Sequence, residues 1–268
     1  MKNIILNGKN HQTDCQGIFE LKDWLGAGEH LSIVNGFQIN EDQEIKEGDS
    51  ICLIKKGVMP DEEELECMMA ARHSPYVHEK VKKGSVAIIG LGGLGSNIAV
   101  MLARTGIGRV LLVDFDLVEP SNLNRQCYSI SHLGMYKTDA LKQQIQQINP
   151  FIEVLTERIR ITRENILEVT RGYEIVCEAV DKAQTKAMIV NELIVGSKTC
   201  KIVSGSGMAG YGSSNTIKTT RKMNRLYICG DLVCEAAEGM GLMAPRVTIC
   251  AGHQANMILR LLLAEQEV

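Results

Sequence analysis

The chain has 268 residues, 45% of them hydrophobic, and a formal net charge of −3, which allows one substantial α/β domain with a small companion and argues against a nucleic-acid or membrane surface. No apolar run approaches the ~20 residues of a membrane-spanning helix, and the N-terminus turns polar too soon for a secretory signal. The nine cysteines follow no repeated spacing and include no Cys-x-x-Cys, so we expect reduced thiols in a cytoplasmic protein and no zinc site.

The first 58 residues have the sequence pattern of a small separate domain. "NIILNG" alternates like a strand and ends in an Asn-Gly turn, and "GIFELKDWLGA" has helical spacing that places Phe19, Leu21 and Leu25 on one face. Two short strands surround a second Asn-Gly in "HLSIVNGFQI", and "SICLIKKG" is a final strand. Short strands and one helix within residues 1–58 predict a β-grasp domain.

The segment that follows is predicted to be a linker. "GVMPDEEELE" contains the breakers Gly and Pro, and its four acids stand at the start of the next helix, where the helix dipole favours negative charge. We assign residues 59–84 to this linker and its helix.

From residue 85 onward, strands alternate with helices. The apolar strands "SVAIIG", "RVLLVD", "IEVLTE", "YEIVCEAV" and "CKIVSG" are separated by helical segments, and "VTICAGHQANMILRLLLAEQ" is a long amphipathic helix. Residues 85–268 are therefore predicted to form an α/β domain with a doubly wound, mostly parallel Rossmann-like sheet. The glycine-rich stretch "SGSGMAGYGSSN" is too long for an ordinary turn and is typical of a functional loop.

A nucleotide site is predicted at the first strand-to-helix turn of this domain. Gly90, Gly92 and Gly95 form G-x-G-x-x-G between a strand and a helix. The glycines let the backbone approach a phosphate chain, whose charge then meets the helix N-terminus. This motif alone does not distinguish NAD, FAD and ATP.

The run "VDFDLVEPSNLNRQ" carries more charge than a nicotinamide site requires. Asp114 lies 24 residues after Gly90, near the place where an acid binds the nucleotide ribose. A dehydrogenase has no general need for Asn122 and Arg125 beyond it, whereas the arginine can fork onto the oxygens of a triphosphate.

Two further residues point to Mg-ATP. Lys137 opens the next predicted helix and can add a point charge at the phosphates. Asp181 lies beyond the carboxyl end of a parallel strand, and a carboxylate on that edge suits Mg²⁺, which binds through one or two acids plus phosphate. The alternative is that Arg125 and Lys137 are solvated surface charges and that Asp116 caps a turn.

The motifs "GLGGLGSN", "DFDLVEPSNLNRQ", "GMYKTDAL" and "AVDKAQTK" resemble the ubiquitin-activating-enzyme-like adenylyltransferases, the superfamily of ThiF and MoeB, over about residues 65–264. "SGSGMAGYGSSN" and "EGMGLMAPRV" resemble the compact second ThiF family of thiamine biosynthesis. The resemblance implies that the C-terminal carboxylate of a β-grasp sulfur carrier attacks the α-phosphate of ATP, giving an acyl-adenylate and pyrophosphate.

The resemblance also implies roles for single residues. It assigns the adenosine ribose to Asp114 and the Mg²⁺ ion to Asp181, with support from Asp116. It further implies that the arginine ahead of the first strand, here Arg72, enters the partner's site in a homodimer. The phosphate ligands that it implies are Asn122, Arg125 and Lys137.

The chain departs from this family pattern in its cysteines. The zinc-binding cysteine pairs common in the superfamily are absent, so we expect packing alone to hold that region. Some relatives join the carrier covalently through a cysteine there, and Cys229 and Cys234 lie in roughly that region. Because their surroundings are acidic and a thiolate needs a basic neighbourhood, we interpret them as buried structural thiols.

The N-terminal region departs from the pattern as well. Residues 1–58 resemble the carrier ThiS, but "LIKKGVMPDEEE" continues with a single glycine in place of a free Gly-Gly carboxylate. The region is therefore expected to be a structural or dimerisation module, and the alternatives are a recognition element for another protein or a carrier released by cleavage.

Other functions stay open on the sequence alone. A relative of this family could adenylylate a molybdopterin carrier, another sulfur carrier or a modified tRNA carboxylate, although the chain has no basic patch for tRNA. The chain could also be an inactive ATP-binding scaffold that docks sulfur-transfer partners. An NAD dehydrogenase is the third alternative, although we find no candidate His or Lys for hydride transfer.

Overall fold

A computed structural model describes residues 1–73 and 77–268, which divide into two compact units, residues 1–79 and 80–268. The predicted linker and helix over residues 59–84 include residues 74–76, which lie outside the described residues. The elements of the first unit are β1 (Lys2–Leu6), β2 (Lys9–Thr13), α1 (Ile18–Trp24), β3 (Leu31–Val34), β4 (Phe37–Ile39), β5 (Ser50–Ile54) and α2 (Glu62–Ala70). The helix α3 (Val77–Lys82) follows.

The first unit is a β-grasp fold with its core under one face of the sheet. Its five strands are ordered β2-β1-β5-β3-β4, with β1 and β5 parallel. Ile18 and Leu21 of α1 pack against Ile4, Ile51 and Leu53 of the sheet, and all five are buried. Burial of apolar side chains on one face of a strand pair and one face of a helix is what fixes this arrangement.

The strand β2 shows no strand pattern in its own sequence. Its sequence, KNHQT, is polar and mostly exposed, so it carries no apolar alternation. It becomes a strand because the turn Asn7–Gly8, with both residues at positive φ, folds it back antiparallel onto β1.

The second unit contains a seven-stranded sheet covered by helices. Its strands are β6 (Ser85–Ile89), β7 (Arg109–Val113), β8 (Glu153–Glu157), β9 (Ile175–Glu178), β10 (Lys201–Gly205), β11 (Lys218–Met223) and β12 (Leu226–Gly230). Its helices are α4 (Gly93–Arg104), α5 (Lys137–Ile148), α6 (Ile166–Val169), α7 (Ala183–Gly196) and α8 (Ala244–Leu262).

The strand order is β11-β12-β10-β9-β6-β7-β8, and every neighbouring pair is parallel except β11 with β12. The prediction of a doubly wound, mostly parallel sheet preceded by a β-grasp domain is confirmed. The chain moves from β6 outward to β8 and then returns to β9 on the other side of β6. Ligands bind where strand order reverses in this way, at the carboxyl ends of the strands.

The last helix begins earlier than predicted. α8 begins at Ala244, three residues before the segment assigned from sequence, because Pro245 can occupy the first turn of a helix without losing a hydrogen bond. Within residues 1–73 and 77–268, no helix combines the length and the apolar character that crossing a membrane requires.

Candidate active site

The three glycines of the G-x-G-x-x-G motif each meet a different constraint. Gly90 has φ +88°, and a Cβ there would lie 2.9 Å from the carbonyl oxygen of Ala179, beyond the end of β9. A Cβ on Gly95 would overlap the carbonyl oxygen of Gly90, so this glycine lets α4 pack tightly on the turn. At Gly92 a Cβ would meet nothing closer than Gln126 Nε2 at 4.0 Å, so the space beside it is open.

Buried polar groups hold the turn between these glycines. The backbone N–H of Leu91 donates to Asp114 Oδ2 at 2.7 Å, and the hydroxyl of Tyr128 donates to the Leu91 carbonyl at 2.8 Å. The other Asp114 oxygen accepts from the N–H of Asp116 at 2.9 Å. Asp114 and Tyr128 are buried, and this burial raises the pKa of the Tyr128 hydroxyl, which therefore stays protonated as a donor.

The start of α4 is tied to the segment that carries Arg125. Ser96 Oγ donates to the Gly92 carbonyl at 2.6 Å and accepts from Cys127 N at 3.0 Å. Asn97 Nδ2 donates to the carbonyl oxygen of Arg125 at 3.2 Å. Within residues 1–73 and 77–268, no side chain caps the N-terminus of α4, so its first amides stay available to an anion.

Two side chains beside this helix start carry unpaired polar atoms. A Cβ at Gly93 would lie 3.6 Å from Arg125 Cγ, so the arginine runs along the helix N-terminus. Its Nη1 donates to the Ser121 carbonyl at 3.1 Å, but its buried Nε has no partner in the described chain. The buried Oε1 of Gln126 is likewise without one there. Buried polar atoms without partners are rare in native proteins, so both atoms are available to hydrogen-bond a ligand.

Asn122, predicted to contact phosphate, is engaged in its own turn. Its Oδ1 accepts from the backbone N–H of Glu119 at 3.0 Å, and its Nδ2 points to the Ser121 hydroxyl at 3.5 Å. The carbonyl oxygen of Asn122 accepts from Arg125 N at 3.2 Å and from Gln126 N at 2.9 Å. The residue thus orders the turn that presents Arg125.

Lys137 is a buried cation paired with a half-exposed acid. The residue is 6% exposed, and its Nζ lies 3.1 Å from Asp116 Oδ2, its one hydrogen-bond partner among the residues described. Asp116 is in turn tied to Asp114 through its backbone N–H. Because Lys137 is buried, the alternative that it is a solvated surface charge is wrong. A buried lysine is costly without full pairing.

Asp181 follows β9, whose end adjoins the glycine turn at Gly90. Asp181 is exposed. The fully buried Glu178, just ahead of it, accepts from Val180 N at 2.8 Å and pairs with Lys186 Nζ at 2.6 Å. This pair fixes the backbone that presents Asp181.

Arg72 lies in the first unit. It is exposed, and its guanidinium donates a hydrogen bond to Gln38 Oε1 of β4. Its predicted role in a partner's site stays a prediction.

The glycine-rich stretch after β10 is held by a buried ion pair. Arg246 Nη2 lies 2.5 Å from Asp231 Oδ2, with 4% and 9% of the side chains exposed. Arg246 Nη1 donates to the carbonyl oxygens of Gly212 and Ser213 at 2.9 and 2.6 Å. This loop is therefore fastened to the first turn of α8.

The two cysteines near this loop differ in burial. Cys229 is buried as predicted, and burial raises its pKa to about 11. Cys234 is half-buried, so the expectation of a buried thiol is wrong for it, and a hydrogen bond to Asp231 raises its pKa. Both thiols are therefore protonated at neutral pH and are poor nucleophiles.

The structure therefore joins most of the predicted residues through the glycine turn. Asp114, Arg125 and the end of β9 contact the turn directly, and the Lys137–Asp116 pair is linked to it through Asp114. The residues that the sequence reasoning missed are Gln126, Tyr128, Glu178, Lys186 and Arg246. Gln126 closes the charged run and could have been found there, whereas the others carry no local signal.

Comparison with known proteins identifies the family of each part of the chain. The model of the ThiF family matches residues 67–268, and that of a ThiS-like ubiquitin matches residues 2–57. The adenylyltransferase and sulfurtransferase MOCS3 of Aedes aegypti is 35% identical over 130 residues, 48% of this chain and 29% of that protein. The sulfur carrier protein adenylyltransferase of Thermus thermophilus is 34% identical over 132 residues, 49% of each chain. The chain thus spans half or less of the length of these relatives.

A solved structure shares the fold. The tRNA N6-threonylcarbamoyladenosine dehydratase TcdA of E. coli, in complex with ATP, matches with a TM-score of 0.68 over 77% of this chain and 98% of that one, at 21% identity. The family model covers most of the chain, and the predicted resemblance is confirmed. The chain therefore belongs to the ThiF family and carries a ThiS-like ubiquitin domain at residues 2–57.

Proposed function

We propose that this protein transfers AMP from ATP to the C-terminal carboxylate of a sulfur-carrier protein, releasing pyrophosphate. The observation that carries the proposal is the open space at Gly92, bounded by the uncapped start of α4 and by the unpaired Nε of Arg125. A phosphate chain in that space would meet backbone N–H groups, the helix dipole and a guanidinium at once.

The chemistry needs charge neutralisation more than proton transfer. A C-terminal carboxylate, with a pKa of about 3.5, is already ionised at neutral pH, so no general base is required. The carboxylate and ATP repel each other, and Arg125 with Lys137 would reduce that repulsion while aligning the reacting groups. Asp114, by holding Leu91, keeps the glycine turn shaped for the phosphates.

Asp181 is the proposed Mg²⁺ ligand. Its exposed carboxylate stands at the carboxyl end of β9, and Mg²⁺ commonly binds through one carboxylate together with phosphate oxygens and water. Once bound there, the ion would neutralise charge on the triphosphate.

The carrier is proposed to be ThiS-like, in the thiazole branch of thiamine biosynthesis. Support comes from "SGSGMAGYGSSN" and "EGMGLMAPRV", which resemble the compact ThiF family of that pathway. A sulfur carrier is also in the name of the Thermus thermophilus relative. A carrier of the molybdopterin type and an inactive scaffold are the competing outcomes of the test.

The test is incubation with Mg-ATP and a panel of separate carrier proteins, followed by intact-mass measurement. The expected result is a mass increase of one AMP on the ThiS-like carrier, and the same increase on another carrier would move the substrate to that protein. ATP binding without adenylylation of any carrier would contradict the proposal and favour the scaffold.

Variants test the assigned residues in the same assay. Asp181→Ala, Lys137→Ala and Arg125→Ala are each expected to lower the rate of carrier-dependent ATP–pyrophosphate exchange by ~10²-fold or more, since each removes a charge at the phosphates. The matched control is Glu174→Ala, which removes an exposed carboxylate at the opposite end of β9 and should leave the rate unchanged. Wild-type exchange in Asp181→Ala would reject the role of Asp181.

Arg72 is proposed to complete the site of a second subunit in a homodimer. The Arg72→Ala and Lys137→Ala variants, each expected to be strongly impaired alone, should regain activity when mixed under subunit exchange, because a mixed dimer holds one complete site. Failure to complement in dimers shown to be mixed would contradict the assignment.

A further inference from the structure

Two cysteines lie on the face of the β-grasp sheet that α1 does not cover. Along β5, Ile51 and Leu53 point into the core against α1, so Cys52 between them points to the opposite face. Its cross-strand neighbour Ile33 shares that face. Cys52 and Ile33 are nevertheless only 4% and 2% exposed, so another element covers them.

That element is α2. Asn7 Oδ1 accepts from Leu53 N of β5 at 2.8 Å, while its Nδ2 donates to Glu64 Oε1 of α2 at 3.1 Å, so one side chain joins the strand to the helix. A Cβ at the neighbouring Gly8 would lie 3.1 Å from Cys67 Cβ. Cys67 of α2 therefore lies over this part of the sheet, beside β5.

Cys52 and Cys67 therefore lie between the same strand and helix, close enough for each thiol to shift the pKa of the other. This interaction lowers the pKa of Cys67, and the same interaction together with burial raises the pKa of Cys52. Cys67 is half-buried and Cys52 is buried. Because an external disulfide must reach the attacking sulfur, the half-buried Cys67 is the thiol that reacts first, and the buried Cys52 is the one that resolves the product.

We propose that Cys52 and Cys67 form a reversible disulfide that fastens α2 to the β-grasp sheet. The Cys67 thiolate attacks a low-molecular-weight disulfide RS–SR, forming Cys67–S–SR and releasing RS⁻. Cys52 loses its proton to the solvent and attacks the Cys67 sulfur, which forms the protein disulfide and releases the second RS⁻. Two protein thiols are oxidised, and the small disulfide is reduced to two thiols.

The disulfide would strengthen a weak attachment of α2 to the sheet. α2 has no fully buried residue, and beyond its N-cap at Asp61 it is held to the sheet by partly buried side chains. The bond would close a loop that contains the Gly57 and Pro60 breakers, and cross-linking restricts the unfolded chain. The proposal concerns the first unit alone and does not depend on the adenylylation proposed above.

The test treats the full-length reduced protein with oxidised glutathione and maps its peptides without reductant. The expected product is one peptide pair linked through Cys52 and Cys67, with the loss of two hydrogen atoms from the chain. Brief trypsin cleavage after the exposed Lys55 or Lys56 should leave two fragments that separate only on reduction.

Variants assign the order of events. Cys52→Ser should stop at a glutathione adduct on Cys67, and Cys67→Ser should leave Cys52 unmodified. The control Cys15→Ser, which removes another half-buried thiol of this unit, should form the bond as the wild type does. A stable glutathione adduct on Cys67 in the wild type, a bond to a different cysteine, or no reaction would each overturn the proposal.

Discussion

Two glycine-rich segments of the second unit use glycine for opposite purposes. In the turn at residues 90–95, Gly90 and Gly95 make room for the backbone itself, which leaves open space beside Gly92. In the stretch after β10, Gly207 has φ +78° and a Cβ there would overlap Asp231 Oδ1, while Gly212 lies against the guanidinium of Arg246. The first segment makes space for something outside the chain, and the second makes space for the chain's own ion pair.

The comparison shows that glycine content alone does not identify a ligand loop. The stretch after β10 is rich in glycine as well, but Arg246 donates hydrogen bonds to two of its carbonyl oxygens and so fixes its backbone. The turn at residues 90–95 is held by Asp114 and Tyr128 through Leu91 and keeps its helix amides unpaired.

The largest expected effect is on the second segment. Arg246→Met should lower the free energy of unfolding by about 3–5 kcal/mol, because it leaves Asp231 buried without its partner. Urea unfolding measures this loss. The double variant Arg246→Met with Asp231→Asn removes both charges and should lose less than the single variant. Equal losses would show that the ion pair does not hold the segment.

Gly95→Ala, in the first segment, should lower the free energy of unfolding by about 2–3 kcal/mol. Its Cβ would overlap the Gly90 carbonyl oxygen, and backbone cannot give way as a side chain can, so α4 would have to move off the sheet. The matched control is Gly252→Ala in α8, where a Cβ meets nothing within 4 Å and stability should rise by up to about 1 kcal/mol. A Gly95→Ala variant as stable as wild type would contradict the tight packing.

Acid should lower the free energy of unfolding through Asp231, which belongs to the second segment. Burial alone would raise the pKa of Asp231, but hydrogen bonds from Cys234, Val233 and Arg246 outweigh it and lower that pKa from 3.8 to about 2. Because the folded pKa is the lower one, the stabilisation is complete above the unfolded pKa and is lost as the pH falls through about 2. After allowance for solvent screening we expect a loss of about 1 kcal/mol.

Urea unfolding between pH 5 and pH 2, compared with the Asp231→Asn variant, checks this expectation. The variant should show a shallower decline, since its side chain does not titrate. Parallel declines in both proteins would assign the acid sensitivity to other carboxylates.

The smallest expected effect on stability belongs to Gly92→Ala. A methyl group there enters open space, so the free energy of unfolding should change by less than about 1 kcal/mol. The same methyl would occupy the place proposed for phosphate, and ATP affinity should fall roughly tenfold or more, a change of at least about 1.4 kcal/mol. Calorimetric titration with ATP checks it, and unchanged affinity would contradict a phosphate beside Gly92.

Much of the second unit follows from local pattern. The run SVAII is buried because a central parallel strand is covered on both faces, and the glycine motif after it predicts the turn into α4. The edge strand β11, with the sequence KTTRKM, escaped prediction because a solvated edge leaves no apolar alternation.

The hydrogen bonds that hold these two segments could not be predicted in the same way. Asp114 is visible as an acid after a strand, but its bond to the Leu91 amide depends on the parallel register of β6 and β7. Arg246 bonds to carbonyl oxygens more than thirty residues earlier, and backbone acceptors leave no mark in a sequence. Such partners are set by tertiary packing.

The hold that Asp114 and Tyr128 have on Leu91 has a consequence for recognition. A recognition loop that is disordered beforehand loses conformational entropy when it captures its target, and the observed affinity is reduced by that loss. Here both hydrogen-bonding groups of the Leu91 backbone are already engaged by buried side chains. Whatever binds at this turn would meet a surface whose shape is set in advance, so its selectivity would come from shape and charge rather than from loop folding.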